Sequence, residues 1–132
     1  YGNIRSEEHG YMNGADVFNF VIREVPKDFS RLLAYSGQDI NSIDYFVFHQ
    51  ATSYINGFLS KKLKLPENKL PSTIEKFGNT SSVSKPLTIV SELKNLLNEH
   101  KRLLVSGFGV GLTWGTALID LEGCYIGDIV EV

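Results

Sequence analysis

The stretch Phe46-Val-Phe-His-Gln-Ala51 (FVFHQA) places a histidine directly after a short apolar run. The run begins at Tyr45 and is bounded by polar residues, a pattern typical of a β-strand that is covered on both faces. Such strands are usual in parallel sheets, whose neighbouring strands are connected by helices. His49 would then follow the carboxyl end of a buried strand, either as a packed boundary residue or as part of a site.

Three helices are predicted around this strand, because apolar residues recur at spacings of three and four. The first is expected to stop at Gly37, and Pro26 to kink or split it. The second ends before Pro66, and the third follows the turn at Gly78. The apolar positions are Phe18, Val21, Ile22, Val25, Phe29, Leu32 and Leu33, then Ala51, Tyr54, Ile55, Phe58, Leu59 and Leu63, then Val83, Leu87, Val90, Leu93 and Leu97.

Four further strands complete the predicted order. They are a short strand near Tyr11-Met12, Leu70 to Ile74, which Pro71 weakens, Arg102 to Phe108, and Leu112 to Leu121, with Tyr125 to Val132 as a candidate edge strand. The order βαβαβαββ predicts an α/β fold in which helices lie against the faces of a mostly parallel sheet.

The composition is that of one globular domain. The chain has 132 residues, of which 42% are hydrophobic and 21% charged, and a formal net charge of −2. That charge argues against a nucleic-acid binder, which normally has a strongly basic face. The single cysteine cannot form a disulfide within the chain, and no apolar run approaches the ~20 residues that cross a bilayer. A cytoplasmic protein is therefore expected.

Common cofactor and catalytic motifs are not found in the sequence. Gly107-x-Gly-x-Gly111 is not a dinucleotide fingerprint, since Leu112 takes the place of its third glycine, and no phosphate-binding loop is present. His9, His49 and His100 lie in unrelated segments without metal-ligand spacing. No G-x-S-x-G elbow supports a serine hydrolase. We therefore expect neither a metal nor a cofactor.

Three loops are expected to meet at one edge of the sheet. His49 follows one predicted strand, Asn79 lies in the turn after the next, and the glycine turn at 107–111 follows the third. In open α/β sheets the ligand crevice lies beyond the carboxyl ends of the strands. A histidine and an asparagine can donate two hydrogen bonds to one oxygen, and so stabilise an enolate or oxyanion. The alternative for the glycine turn is an ordinary hairpin.

Several motifs taken together resemble one enzyme family. They are Met12-Asn-Gly14 with Val17-Phe18, His49-Gln-Ala51, Gly78-Asn-Thr-Ser81 and Gly107-Phe-Gly-Val-Gly-Leu-Thr-Trp-Gly115. In order and spacing they resemble the carboxyl half of 3-oxoacyl-(acyl-carrier-protein) synthase III. The resemblance implies a thiolase-like βαβαβαββ half with a mixed five-stranded sheet. It also implies decarboxylative Claisen condensation of an acyl starter with malonyl-carrier protein in fatty acid biosynthesis.

The resemblance assigns roles to individual residues. His49 and Asn79 would be the catalytic histidine and asparagine, which bind the malonyl thioester carbonyl and stabilise the enolate. Residues Phe108, Gly109 and Val110 would form the oxyanion and substrate loop. A basic pair on the second predicted helix, Lys61 and Lys62, would dock the carrier protein, although an ordinary solvated helix face is the alternative.

The resemblance also implies a larger protein. Residues 1–132 would be a single carboxyl-terminal domain, and the nucleophilic cysteine would lie in an amino half. Cys124 lacks the small-residue context of that nucleophile, so this chain alone is expected to be inactive. The implied partners are acyl carrier protein, acyl-CoA and malonyl thioester, with a homodimer as the full-length assembly.

The sequence departs from the family pattern at three positions that bear on function. Thr52 and Tyr54 replace the usual asparagine and arginine after His-Gln-Ala, and the arginine is associated with carrier docking. Val110 replaces the middle of three glycines, and its side chain narrows the space for an acyl chain. Two alternatives therefore stay open: a specialised polyketide or ester-forming relative, and a non-catalytic subunit that binds carrier protein.

Overall fold

A three-stranded mixed sheet carries helices on both faces. The computed structural model describes residues 6, 9, 12–96 and 99–130. The elements are α1 (Gly14–Ser36), β1 (Tyr45–Phe48), α2 (Ser53–Leu63), α3 (Ile74–Phe77), α4 (Ser84–Thr88), β2 (Lys101–Gly109) and β3 (Thr113–Leu121). Short 3₁₀ helices occupy Ile40–Ser42, Glu67–Lys69, Ser81–Val83 and Lys94–Leu96, and a π-helical stretch, Ile89–Leu93, extends α4.

The strand β2 is the centre of the sheet. It pairs in parallel with β1, where Phe46 lies opposite Leu104, and antiparallel with β3, where Leu104 lies opposite Leu118. The parallel pair requires a long crossover, which α2, α3 and α4 supply. The carboxyl ends of β1 and β2 consequently lie at the same edge of the sheet, as the sequence predicted.

The sheet is covered on both faces because its side chains alternate between them. Phe46, Phe48 and Leu104 pack against α1 and α2. The buried residues of α1 in this cluster include Val21, Val25 and Phe29. Val47 and Leu103 point the other way and pack with Leu93. Burial on both sides explains why β1 is a continuous apolar run.

Helix α1 is unbroken although Pro26 lies inside it, so the predicted split is wrong. Proline has no N–H, and the Ile22 carbonyl therefore lacks its usual partner four residues on. The Lys62 Nζ donates a hydrogen bond to that carbonyl at 2.7 Å. The helix ends, as predicted, at Gly37, whose φ of 66° is left-handed. A lysine of α2 therefore replaces the backbone donor that Pro26 removes.

Replacing Lys62 by alanine is expected to lower the free energy of unfolding by about 0.5–1.5 kcal/mol, the usual net contribution of one hydrogen bond. The neighbouring Lys61→Ala is the matched control, since its side chain is also exposed in the last turn of α2. Chemical denaturation of both variants measures the difference. Equal stabilities would show that the bond to Ile22 contributes nothing.

The predicted count of five strands is wrong for the described residues. The predicted strand Leu70–Ile74 is irregular backbone that leads into α3. The Thr73 N–H there donates a hydrogen bond to the Gln50 side-chain oxygen at 3.1 Å, so this N–H is satisfied without a neighbouring strand. Met12 and residues 125–130 also have no strand conformation, while Tyr11 and residues 131–132 lie outside the described part.

The third predicted helix exists, but two polar residues that the apolar spacing did not mark are buried in it. Ser84 and Thr88 are fully buried, whereas the predicted core residue Val83 is 55% exposed. The π-helical stretch inserts a wider turn, which rotates the later residues relative to a regular helix. Leu93 is buried as predicted, and Leu97 lies outside the described residues.

Candidate active site

An open cleft of about 1520 Å³ lies at the carboxyl edge of β1 and β2. Its walls contain His49 after β1, Asn79 after α3, and the turn between β2 and β3. Five of the seven candidate residues line it, namely His49, Asn79, Phe108, Gly109 and Val110. The structure thus brings the three predicted loops to one cavity.

His49 is held in a fixed orientation at the end of β1. Its backbone N–H donates to the Ser106 carbonyl at 2.8 Å, which continues the pairing of β1 with β2. Its ring lies edge-on to Phe108, with 5.2 Å between ring centroids, and the residue is 9% exposed. The Nδ1 atom lies 2.8 Å from the Ser84 hydroxyl oxygen. Packing and hydrogen bonds therefore direct the other nitrogen, Nε2, away from Ser84.

Ser84 holds the histidine loop at two points. Its hydroxyl oxygen accepts a hydrogen bond from the Gln50 backbone N–H at 3.2 Å and lies 2.8 Å from His49 Nδ1. A neutral imidazole carries one hydrogen, on either Nδ1 or Nε2, and a serine hydroxyl can both donate and accept. With Nδ1 accepting the Ser84 hydroxyl proton, the ring hydrogen lies on Nε2 and can be donated to a ligand in the cleft.

The electrostatic surroundings keep His49 neutral. Burial lowers the pKa of the imidazole below its ordinary value of 6.5, and the positive charge of Lys85 lowers it further. The backbone carbonyl of Ser81 acts in the opposite direction. The ring is therefore uncharged at neutral pH. An uncharged imidazole still has one N–H, which can donate a hydrogen bond to a developing oxyanion.

Asn79 presents the amide NH₂ of its side chain to the cleft. Its Oδ1 accepts the Ser81 N–H at 3.0 Å, which leaves the NH₂ end for a ligand. The preceding Gly78 has φ 65° and ψ −153°, a region that only glycine adopts readily. Ser81 has a φ of 55°, rare for a residue with a side chain, and the bond from Asn79 stabilises it.

A buried glutamine connects the histidine loop to the asparagine loop. Gln50 is 1% exposed, and its Nε2 donates to the Phe48 carbonyl at 2.8 Å. Its Oε1 accepts hydrogen bonds from the Ser72 hydroxyl at 3.0 Å and the Thr73 N–H at 3.1 Å. The end of β1 is thereby tied to the segment that leads into α3. This tie fixes the two loops relative to each other.

The residues of the predicted substrate loop differ in exposure. Phe108 is 8% exposed and packs on His49, whereas Val110 is 94% exposed at the tip of the turn. A side chain on Gly109 would meet no atom within 4 Å, so this position is open toward the cleft. The glycine turn is a hairpin between β2 and β3, and its residues also line the cleft.

The candidate docking lysines lie outside the cleft. Lys61 and Lys62 are exposed in the last turn of α2, and Lys62 borders a shallow groove beside α1 that also contains Arg23, Lys27 and Arg31. The two departures nearby have structural roles. The Thr52 hydroxyl caps α2 by accepting the Ile55 N–H at 3.1 Å. Tyr54 stacks on Phe18, with 5.4 Å between ring centroids, and is 71% exposed.

Sequence reasoning missed two residues of the site, Ser84 and Lys85. Both lie at the start of α4, where a polar residue ordinarily faces water. One sequence signal is the spacing of Ser84 and Thr88, which puts two small hydroxyl residues on the same helix face. A glycine at 107 is a second signal, since it allows a neighbouring side chain to approach β2 closely.

Over residues 12–96 and 99–130, no helix is both long and apolar enough to span a membrane. The same part of the chain contains no group of three or more histidine, cysteine, aspartate or glutamate residues arranged to hold a metal ion.

Comparison with known proteins identifies relatives of this fold and site. The sequence profile described as 3-oxoacyl-[acyl-carrier-protein (ACP)] synthase III C terminal matches residues 33–121. The beta-ketoacyl-[acyl-carrier-protein] synthase III of Lactococcus lactis subsp. cremoris (strain SK11) is 39% identical over 113 residues, which are 83% of this chain and 35% of that protein. A synthase III of Bacillus cereus is 37% identical over 118 residues, 89% of this chain and 38% of that protein.

Solved structures show the same similarity. The crystal structure of a 3-oxoacyl-(acyl-carrier protein) synthase from Burkholderia xenovorans LB400 superposes with a TM-score of 0.88 at 41% identity, covering 92% of this chain and 35% of that one. The priming β-ketosynthase of the R1128 polyketide pathway gives a TM-score of 0.74 at 29% identity, covering 85% of this chain and 34% of that one.

The fold and its relatives define a thiolase-like α/β domain similar to part of the 3-oxoacyl-(acyl-carrier-protein) synthases. The chain belongs to the 3-oxoacyl-(acyl-carrier-protein) synthase III family and matches its C-terminal domain. It spans about a third of the length of the relatives it matches, 35% for the Lactococcus protein.

Proposed function

We propose that this chain is the carboxyl-terminal domain of a 3-oxoacyl-(acyl-carrier-protein) synthase III that acts in fatty acid biosynthesis. The reaction is a decarboxylative Claisen condensation of an acyl starter, delivered as acyl-CoA, with malonyl-carrier protein. An amino half supplies the nucleophilic cysteine, and together they form what we call the two-domain protein. By its family likeness, we also propose that this protein is a cytoplasmic homodimer.

One observation carries the proposal: the imidazole of His49 and the carboxamide of Asn79 line the same cleft. When the malonyl group loses carbon dioxide, its C–C bond breaks and the electron pair moves into an enolate. The negative charge then resides on the thioester oxygen. His49 Nε2–H and Asn79 Nδ2–H donate to that oxygen, and neither group must change its charge to do so.

The second half of the reaction uses the carbanion that decarboxylation generates. The enolate carbon attacks the acyl thioester on the cysteine of the amino half, a new C–C bond forms, and the thiolate leaves. Cys124 is an exposed free thiol that does not line the cleft, which supports a nucleophile from elsewhere. On this basis the 132-residue chain alone is inactive.

Acidic carrier protein is the proposed partner of the basic surface formed by α1 and the end of α2. Lys61 and Lys62 belong to it, and Arg23, Lys27 and Arg31 on α1 extend the positive charge. Such a surface speeds the encounter with an acidic protein at low salt, and salt screens the effect. The Lys62 ammonium already donates to Ile22, and Arg23 and Lys27 pair with Glu24. Among the described residues of this surface, Lys61 and Arg31 are therefore the cations left to contact a partner.

The two-domain protein is expected to release carbon dioxide from malonyl-carrier protein and to form a 3-oxoacyl product when acyl-CoA is added. Radiolabelled malonyl-carrier protein measures both the released carbon dioxide and the elongated acyl group. Binding of the carrier without release of carbon dioxide would instead support a non-catalytic carrier-binding subunit.

A further inference from the structure

A lysine forms part of the cleft wall beside His49. Lys85 lines the same cleft as His49 and Asn79. Its Nζ lies 3.2 Å from the position that a Cβ on Gly107 would take. The β2 strand therefore leaves room for this ammonium group because residue 107 has no side chain.

The positive charge of Lys85 has no counter-charge in the described ranges 12–96 and 99–130. The structure shows no hydrogen bond or ion pair for its ammonium group there. Burial lowers the pKa of Lys85, and its charge acts on His49. Asp16 is the one described carboxylate in the cleft lining, and its Oδ2 already accepts the Asn13 amide at 2.7 Å.

A half-buried ammonium without a partner is costly unless an anion completes it. We propose that Lys85 binds the carboxylate of the malonyl-type extender unit, and so selects a carboxylated thioester over its uncharged acetyl counterpart. This assignment rests on the proposed function, because that function places the thioester oxygen on His49 and Asn79.

The malonyl group is short enough for both of its ends to lie in one cleft. Its carboxylate is separated from the thioester carbonyl by a single carbon, so an oxygen held by His49 and Asn79 leaves the carboxylate in the same cleft. Lysine carries a compact point charge on a flexible four-carbon stem, which can follow a small anion. The charge-assisted hydrogen bond that results is among the stronger kinds in proteins.

Lys85 should affect binding of the extender more than the rate of its decarboxylation. A cation on the carboxylate stabilises the bound substrate, but the negative charge leaves the carboxylate as carbon dioxide departs. An interaction stronger in the ground state than in the transition state does not raise kcat. In the two-domain protein, Lys85→Met should therefore raise KM for malonyl-carrier protein about tenfold, with kcat unchanged or slightly higher.

The binding experiment uses two pantetheine amides that cannot react, malonyl-amide and acetyl-amide, titrated calorimetrically into the two-domain protein. We expect Lys85→Met to weaken malonyl-amide binding about tenfold and acetyl-amide binding less than twofold, and Lys85→Arg to retain the preference. Lys64→Met, an exposed lysine outside the cleft, is the control for loss of a positive charge.

In the binding experiment, three results would overturn the assignment: unchanged affinities, equal losses for both amides, or a loss of folding stability with the ligand preference intact. The last would mean that Lys85 pairs with the amino half. A Lys85-dependent preference in a protein that releases no carbon dioxide would uphold the anion subsite and refute the proposed function. Decarboxylation with an unchanged KM in Lys85→Met would refute the subsite alone.

Discussion

Replacing Asn79 by alanine should lower the rate of malonyl decarboxylation by the two-domain protein about 10²–10³-fold, the usual cost of removing one oxyanion donor. The Asn79 NH₂ is one of two proposed donors to the enolate oxygen, and its charge-neutral hydrogen bond strengthens as the oxygen becomes negative. Release of carbon dioxide from malonyl-carrier protein under saturating conditions measures the effect.

Asn79→Asp separates the donor from the loop structure. Aspartate retains an oxygen that can accept the Ser81 N–H, but it has no NH₂ and adds a negative charge beside the enolate. We therefore expect it to be at least as slow as the alanine variant. Ser82→Ala, at another exposed residue in the cleft lining, should stay within threefold of wild type. Activity in Asn79→Asp close to that of the wild type would refute the donor role.

The sequence predicted the sheet edge at which the site lies, since that depended on strongly patterned segments. The apolar run of β1 and the long strands around the glycine turn have few alternative structures. The strand prediction for Leu70–Ile74 is wrong because the Thr73 N–H donates a hydrogen bond to the side chain of Gln50. A hydrogen bond to a side chain that is distant in sequence leaves no local sequence pattern. Strand propensity cannot distinguish these two ways of satisfying an N–H.

The position of His49 followed from where a strand ends, whereas Asn79 follows α3 instead of the predicted strand, and Ser84 and Lys85 depend on packing. Ser84 is buried where α4 packs on the end of β1 and its hydroxyl contacts His49 and Gln50, and no apolar spacing reports such a polar contact. Lys85 enters the cleft because Gly107 lies opposite, a contact between residues in different elements. Contacts of this kind can be identified only in the folded structure, because they join residues that are distant in sequence.

Replacing His49 by alanine should also slow decarboxylation about 10²–10³-fold in the two-domain protein, because it removes the second donor to the same oxygen. His49→Gln tests what kind of group is needed. Glutamine offers a neutral N–H but cannot accept a proton as imidazole does at neutral pH. If His49 acts as a donor, His49→Gln should retain several-fold more activity than His49→Ala. Equal losses in both variants would indicate that His49 acts as a base instead.

The pH dependence of the decarboxylation rate is an independent test of the role of His49. Its pKa is lowered below 6.5, chiefly by burial and further by Lys85, so the neutral ring predominates above that value. Decarboxylation that needs the neutral form should be constant at neutral pH and fall as pH drops through the lowered pKa. A reaction that needed the imidazolium would instead slow as pH rises through the same region. The rate of decarboxylation is measured against pH with a substrate that is stable over that range. Whether the rate falls or rises as the pH is lowered therefore distinguishes a neutral donor from a cationic one.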